Sequence, residues 1–172
     1  MQRHPAVRVE AVTTASQFED CLAVRFEVFV REQQVSEDGE RDALDDDPRT
    51  LHCVAYDSAG TVVAAGRLLA PHTDTAHGPA TGHGAMDPAN PHIGRVAVKR
   101  EARGTGAGRA IMSFLEQAAL ERHGAGGAVR VELSAQDQAM AFYERLGYTP
   151  YGEGYLDEGI WHHDAFKDVP RA

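Results

Sequence analysis

Residues 100–110 read REARGTGAGRA, with glycines at positions 104, 106 and 108 among three arginines. A short apolar run, 93–98, precedes this loop, and an apolar helical stripe over 107–118 follows it. Backbone N–H groups at a helix N-terminus point outward, and the helix dipole favours negative charge there. Glycine at 106 and 108 removes Cβ atoms that would keep a diphosphate away from those amides. The stretch therefore predicts an α/β core that binds phosphate.

Two familiar phosphate-binding loops do not fit this spacing. A Walker A loop requires a lysine followed by a hydroxyl residue, and no such pair follows these glycines. A dinucleotide fingerprint would require glycine at Arg109 or at Ile111. Five basic residues nevertheless lie close to the loop in an otherwise acidic chain: Arg95, Lys99, Arg100, Arg103 and Arg109. This local charge favours an anion site of another class.

Hydrophobic periodicity places further elements on both sides of the loop. Helices are predicted over 107–123 and 137–147, and over a segment that begins with a capping box of Ser16 and Glu19 and ends near Glu32. Strands are predicted at 7–12, 51–56, 61–69, 93–98, 129–133, 148–156 and 162–169. The strand–helix–strand run within 93–147 is flanked by hairpins, which predicts a mixed α/β sheet in a single domain, 1–172. The His-, Gly- and Pro-rich segment 71–91 is expected to be a flexible insertion.

Composition limits the classes of function. The 172 residues carry 26 acidic and 17 basic side chains, a net charge of −9 that disfavours non-specific nucleic-acid binding. No apolar run approaches the ~20 residues of a membrane span or resembles a signal peptide, so we expect a cytoplasmic protein without a membrane partner. The two cysteines, Cys21 and Cys53, are too few for a disulfide framework and are expected to be buried. His72, Asp74, His77, His83 and His92 are too loosely spaced to predict a metal site.

The loop and a second motif resemble the GNAT superfamily of acetyl-CoA-dependent N-acetyltransferases. Val98-Lys-Arg-Glu-Ala-Arg103-Gly-Thr-Gly-Ala-Gly108 is similar to the family's pyrophosphate loop, with Arg100 where the family usually has proline. Ala139-Met-Ala-Phe-Tyr-Glu-Arg-Leu-Gly147-Tyr148 is similar to its A-x-x-FYE-x-x-GF helix. Arg25-Phe-Glu-Val-Phe-Val-Arg-Glu-Gln33 and Glu158-Gly-Ile-x-His162 further resemble an ElaA-like branch. The resemblance implies a mostly antiparallel sheet of six to seven strands with about four helices.

The resemblance also implies direct transfer of an acetyl group from acetyl-CoA to an amine, without a metal. Tyr143 would be the acid at the CoA sulfur, and a backbone N–H near Ala97 or Val98 would bind the oxyanion. The remaining residues expected to contact CoA are Val96, Arg103, Gly104, Thr105, Gly106, Ala107, Gly108, Arg109, Gln136 and Phe142. The acceptor is an amine of unknown identity, and exposed strand edges near the C-terminus make a homodimer possible.

Three points stay open at this level. Glu32, His52 and Glu132 are all candidates for the base that deprotonates the amine. Arg67 and Arg95 are expected either to pair with Glu32 or with the acids of 42–47, or to bind an acceptor carboxylate. The alternative functions are a catalytically silent CoA-binding sensor and an enzyme similar to acyl-homoserine-lactone synthases.

Overall fold

The computed structural model describes residues 7–71 and 86–170. Most of the predicted insertion therefore lies outside the described residues, including His72, Asp74, His77 and His83. Its last part, 86–91, is described and contains a turn that hydrogen bonds hold to the sheet. The Asp87 amide donates to Glu132 Oε2 at 2.8 Å, and the Asn90 side-chain amide donates to the same oxygen at 3.1 Å.

In the described part of the chain, seven strands form one mixed sheet in the order β1-β2-β3-β4-β5-β7-β6. Their bounds are Arg8–Ala11, Leu51–Tyr56, Val62–Leu69, His92–Val98, Ala128–Gln136, Thr149–Asp157 and Ile160–Pro170 for β1 to β7. All neighbouring pairs are antiparallel except β4 and β5, which are parallel. The predicted mixed, mostly antiparallel sheet is confirmed, and each predicted strand lies within a few residues of an observed one.

Among the described residues, four α-helices flank the sheet: α1 (Ala15–Arg25), α2 (Glu37–Glu40), α3 (Ala107–His123) and α4 (Met140–Arg145). The chain continues from α1 directly into a π-helical segment, Phe26–Glu32, and a 3₁₀ turn, Ala43–Asp46, follows α2. The predicted capping box at Ser16 and Glu19 is wrong: Thr14 caps α1 by accepting a hydrogen bond from the Gln17 amide at 3.1 Å, and Ser16 lies inside the helix. The predicted first helix thus reaches Glu32, but its last part has π geometry that its apolar pattern does not indicate.

The sheet has an apolar core on each face. Ile111 and Leu115 of α3 are fully buried with residues of β2 and β3 on one face. Cys21 and Val24 of α1 are buried on the other face, against Val54 and Ala65. Cys53 lies in the first core, so both cysteines are buried as predicted. Because both faces of the central strands are covered, β2 and β3 contain almost only apolar residues.

The parallel junction between β4 and β5 is short. Their only paired residues are His92 and Glu132, whereas 93–98 and 133–136 diverge from one another. A bulge in β4 accompanies the divergence, since Ala65 faces Ala97 while Arg67 faces Gly94. Arg95, inside the bulge, has a φ of 50°, which is uncommon for a residue with a side chain. The result is a gap in the middle of the sheet.

Candidate active site

A cleft of about 390 Å³ lies where β4 and β5 diverge. The two strands contribute its inner walls, and the π-helical segment, α2 and the β6–β7 turn enclose it from outside. Its lining includes Phe29, Gln33, Glu40, Asp42, Arg67, Arg95, Val96, Ser134, Gln136, Tyr143, Glu158 and His162. A long ligand entering between the strands would reach a chamber with both apolar and charged walls.

The glycine loop ends at the N-terminus of α3. Gly106 is the residue before the helix, with a φ of 89° and no side-chain hydrogen bond that caps the helix. A Cβ built on Gly106 would meet nothing within 4 Å, so the positive φ is what favours glycine here. The first amides of α3 have no partner inside the helix and are available to an anion.

Gly108 has a different reason for being glycine. A Cβ at this position would lie 3.2 Å from Phe142 Cζ and 3.3 Å from Val98 Cγ2. The absence of a side chain lets α3 approach the Phe142 ring, which is a different reason from the predicted access of a diphosphate. Phe142 therefore contacts the start of α3, while its neighbour Tyr143 lines the cleft.

Arg103 is fixed by two contacts. Its Nε donates to the Val98 carbonyl at 3.1 Å, and its Nη2 lies 2.7 Å from Glu32 Oε2. Glu32 does not line the cleft and binds an arginine of the glycine loop instead. Its role as the base stays a prediction that this position does not favour. Gly104 and Arg109 are exposed, and the Thr105 hydroxyl donates to the Ala102 carbonyl.

Tyr143 lies on the cleft side of α4. Its ring packs edge-on against Phe142, with centroids 5.0 Å apart, and against Tyr148 at 6.0 Å. Its hydroxyl makes no hydrogen bond to any residue within 7–71 and 86–170. Burial raises the pKa of Tyr143 to about 12, so the phenol keeps its proton at neutral pH. The side chain can therefore donate a proton or a hydrogen bond to a group in the cleft.

Two glutamines connect the walls of the cleft. Gln136, at the end of β5, donates through Nε2 to Gln33 Oε1 at 2.5 Å, and Gln138 donates to Gln136 Oε1 at 2.7 Å. Gln33 follows the π-helical segment, which aims it across the gap toward β5. The sequence pattern predicts no role for Gln33, because the π geometry that positions it does not show in the hydrophobic periodicity.

Buried ion pairs lie beside the cleft, and one of their members, Glu40, lines it. Arg25 is fully buried and binds Asp45 through Nη1 at 2.8 Å and through Nη2 at 2.9 Å. It also binds Glu40 Oε1 through Nε at 2.5 Å. These arginine contacts hold the pKa of the Asp45 carboxyl well below its usual range. Burying charges is costly, and here the Arg25 guanidinium and the carboxylates of Glu40 and Asp45 offset that cost by pairing and hydrogen bonding with one another.

Arg67 and Arg95 complete this network. Arg67 Nη1 lies 2.7 Å from Asp42 Oδ1 and 2.8 Å from Asp45 Oδ1. Arg95 donates to the Glu40 carbonyl at 2.9 Å and to Asp42 Oδ2 at 3.3 Å. Both arginines thus pair with the acidic segment, as one predicted alternative stated, and not with Glu32. The acids of this segment anchor the outer wall of the cleft to β3 and β4.

The other two candidate bases are also engaged. His52 is buried outside the cleft, and its Nε2 donates to the Asp45 carbonyl at 3.1 Å. Burial lowers the pKa of His52. Glu132 accepts hydrogen bonds from Tyr151 and from the 86–90 turn, so it serves as an anchor for that turn. Both remain predictions as bases, and neither carboxylate nor ring lines the cleft.

The predicted site residues therefore fall into two groups. Val96, Gln136 and Tyr143 come together in the cleft, and residues 103–109 with Phe142 surround the start of α3 nearby. Glu32 and His52 lie elsewhere. Within the described ranges no three His, Cys, Asp or Glu side chains are grouped so as to hold a metal ion. The helices of those same ranges are too short or too polar to cross a bilayer.

Comparison with known proteins points to one family. Residues 14–167 match the family model described as an acetyltransferase (GNAT) domain. The chain is 36% identical over 153 residues to the uncharacterized N-acetyltransferase YjcF of Bacillus subtilis, covering 88% of this chain and 93% of YjcF.

Solved structures agree with this match. An acyl-CoA N-acyltransferase from Pseudomonas aeruginosa is 30% identical with a TM-score of 0.74, covering 97% of this chain and 100% of the other. Escherichia coli ElaA shares the fold, with a TM-score of 0.75 at 23% identity and coverage of 94% and 99%. The expected likeness to ElaA is thus confirmed at the level of the fold.

Proposed function

Since the chain belongs to the GNAT acetyltransferase family, we propose that it moves an acetyl group from acetyl-CoA to a primary amine of a small molecule or peptide. Family membership makes it an acyltransferase with an acyl-CoA co-substrate. The choice of acetyl, the amine and the direct attack in a ternary complex belong to the proposal. The observation that carries it is the gap between β4 and β5 with Tyr143 on its wall.

The donor half of the site is the loop and the gap together. The free amides at the start of α3 suit the diphosphate of CoA, and Arg103 and Arg109 add positive charge. Strands 93–98 and 133–136 leave backbone groups facing the gap, where the amide-containing arm of CoA could hydrogen bond. Loop, gap and chamber follow one another, which suits a long thioester whose reactive end is far from its phosphates.

Transfer requires three tasks from the protein. An alkyl ammonium, with a pKa of ~10.4, must lose a proton before its nitrogen can attack. The oxyanion that forms requires a hydrogen-bond donor, for which an amide near Ala97 or Val98 is the candidate. The leaving sulfur gains from an acid, and Tyr143 suits that task because its phenol stays protonated and makes no other hydrogen bond in the described chain.

The chamber suits a positively charged acceptor. The side chains of Asp157 and Glu158 line it from the β6–β7 turn. The carboxylates of Glu40 and Asp42 are largely matched by Arg25, Arg67 and Arg95. Asp157 and Glu158 therefore add acidic side chains to the outer wall, which favours an ammonium group.

Tyr143→Phe tests the proposal against a silent CoA-binding protein. Free thiol is measured while the protein turns over acetyl-CoA with a library of primary amines. We expect wild-type turnover with at least one amine. In Tyr143→Phe we expect kcat to fall by at least about 10²-fold, while the CoA affinity measured by calorimetry stays unchanged. Tight CoA binding without turnover of any amine would instead identify a sensor.

A further inference from the structure

We propose that His162 is the general base that deprotonates the acceptor amine, an inference that rests on the proposed function. His162 is the third residue of β7, paired with Gln136 of β5 on one side and with Tyr155 of β6 on the other. Its half-buried side chain lines the same cleft as Tyr143. A base and an acid thus meet in one chamber from different elements.

One hydrogen bond determines which ring nitrogen can accept a proton. His162 Nδ1 lies 2.7 Å from the Ile160 carbonyl oxygen. A carbonyl only accepts hydrogen bonds, so Nδ1 carries the hydrogen and the neutral ring keeps its lone pair on Nε2. Across residues 7–71 and 86–170, no hydrogen bond reaches His162 Nε2. The ring is also stacked on Tyr155, with centroids 6.0 Å apart and planes at 18°, which fixes its orientation.

The other basic groups of the cleft are less suitable. His92 also lines it, but it is buried at the paired end of β4, where its Nε2 donates to the Asp87 carbonyl at 3.0 Å and lies 4.0 Å from Glu132 Oε2. The carboxylates of Glu40 and Asp42 are bound to arginines. Glu158 accepts a hydrogen bond from the Ser36 hydroxyl at 2.9 Å. By comparison, the His162 side chain is half-buried in the cleft, and the hydrogen bond at its Nδ1 leaves the ring lone pair on Nε2.

Charged and polar side chains from several elements lie around the His162 ring. Asp157 and Glu158 precede it in the turn, Asp164 follows it in β7, and Tyr155 stacks on it. Gln136, its partner in β5, is neutral, and Arg95 lines the chamber from β4. Arg67 of β3 lines the chamber as well, so charged side chains of both signs surround the His162 ring.

The proton balance of the step closes. The acceptor ammonium gives one proton to His162 Nε2, and its freed nitrogen bonds to the thioester carbonyl carbon. The C–S bond then breaks, and Tyr143 gives its proton to the leaving sulfur. The nitrogen loses a second proton as the amide forms, which restores the Tyr143 phenol. His162 releases its proton to solvent, so each turnover yields an amide, free CoA and one proton.

His162→Gln provides the test, with His163→Gln as the matched control. Glutamine can keep a polar group near Nε2 but cannot take up a proton. His163 does not line the cleft and binds Asp137 at 2.7 Å. Each variant is assayed by thiol release with an alkylamine found by the library and with hydroxylamine, which is already unprotonated at neutral pH. The wild-type ring tautomer is read from ¹⁵N NMR, with the His162→Gln spectrum identifying the signal.

The two nucleophiles separate a base from a structural residue. We expect His162→Gln to lower kcat for the alkylamine about 10²-fold or more, with little change for hydroxylamine or in the KM for acetyl-CoA. The Nδ1–H tautomer is expected by NMR. Equal losses with both nucleophiles, retained kcat with the alkylamine, or an Nε2–H tautomer would each overturn the base role. Absence of wild-type turnover with every amine would refute the proposed function, and the base role with it.

Discussion

Asp45→Asn should strongly destabilise the protein because it removes the charge on which two buried arginines converge. The Asp45 carboxylate is fully buried and lies 2.8 Å from both Arg25 Nη1 and Arg67 Nη1. Asparagine has nearly the same shape but is neutral and keeps one acceptor oxygen, so with that oxygen on Arg25 Nη1 and Arg67 Nη1 its NH2 group faces Arg25 Nη2, which also requires an acceptor. The substitution therefore leaves buried positive charge uncompensated.

The expected loss follows from the burial of this pair. Breaking a buried ion pair by removing one partner costs about 3–5 kcal/mol in unfolding free energy. For a chain of this size each kcal/mol lowers the Tm by about 2–4 °C, so the melting temperature should fall by roughly 6–20 °C. Asp46→Asn is the control, since that side chain is 72% exposed and lies 3.4 Å from Arg41. It should cost less than about 1 kcal/mol.

Urea denaturation at several pH values is the assay. The pKa of Asp45 is lower in the folded protein than the ~3.9 of an unfolded chain, so its contribution is complete above about pH 4. That contribution is lost as the pH falls through the folded-state pKa. Wild type should consequently lose stability below pH 4 more steeply than Asp45→Asn. A loss under about 1 kcal/mol at neutral pH, or equal acid slopes, would refute this account of the network.

Other substitutions test the donor half of the site. Gly106→Val should weaken acetyl-CoA binding at least about tenfold in calorimetry, because valine strains the backbone at a φ of 89° and displaces the amides at the start of α3. Gly60→Val is the control: at a φ of 82° in the β2–β3 turn it should strain the backbone equally without changing the affinity. Glu32→Gln should change the KM for acetyl-CoA by a few-fold and spare kcat, because its carboxylate holds Arg103; a large fall in kcat would restore Glu32 as the base. Since burial raises the pKa of Tyr143 to about 12, kcat should persist beyond the ~10 of ordinary tyrosine, and an alkaline loss near neutrality would contradict its role as the acid.

The features that the sequence could predict are local. Glycine at 106 before an apolar helical stripe, and alternating residues around short turns, determine α3 and the hairpins within a few positions of the chain. The resemblance of the Phe142-Tyr143 helix adds the family, and with it the place of Tyr143. For these features neighbouring residues carry enough information to identify the element.

The features that the sequence could not predict depend on distant partners. Glu40 and Asp45 belong to an acidic run that is also typical of a solvated loop, and their burial becomes apparent only when Arg25 and Arg67 are brought beside them. Glu32 suits a base by its place at the end of the first helix, but its carboxylate pairs with Arg103, which lies 71 positions later in the chain. Whether a carboxylate or an imidazole can act on a substrate depends on which of its atoms already bind a neighbour, and only the packed structure shows this.

Because the junction of β4 with β5 is short, few hydrogen bonds join the two halves of the sheet. It consists of two antiparallel blocks, β1–β4 and β5–β7, that share one paired position, His92 with Glu132. A thioester lying between the blocks would bridge them much as a missing strand would. Binding at a hundredfold excess over Kd contributes about 2.7 kcal/mol to the folded state. The substrate would then be a temporary part of the architecture, and each product release would return the sheet to its looser form.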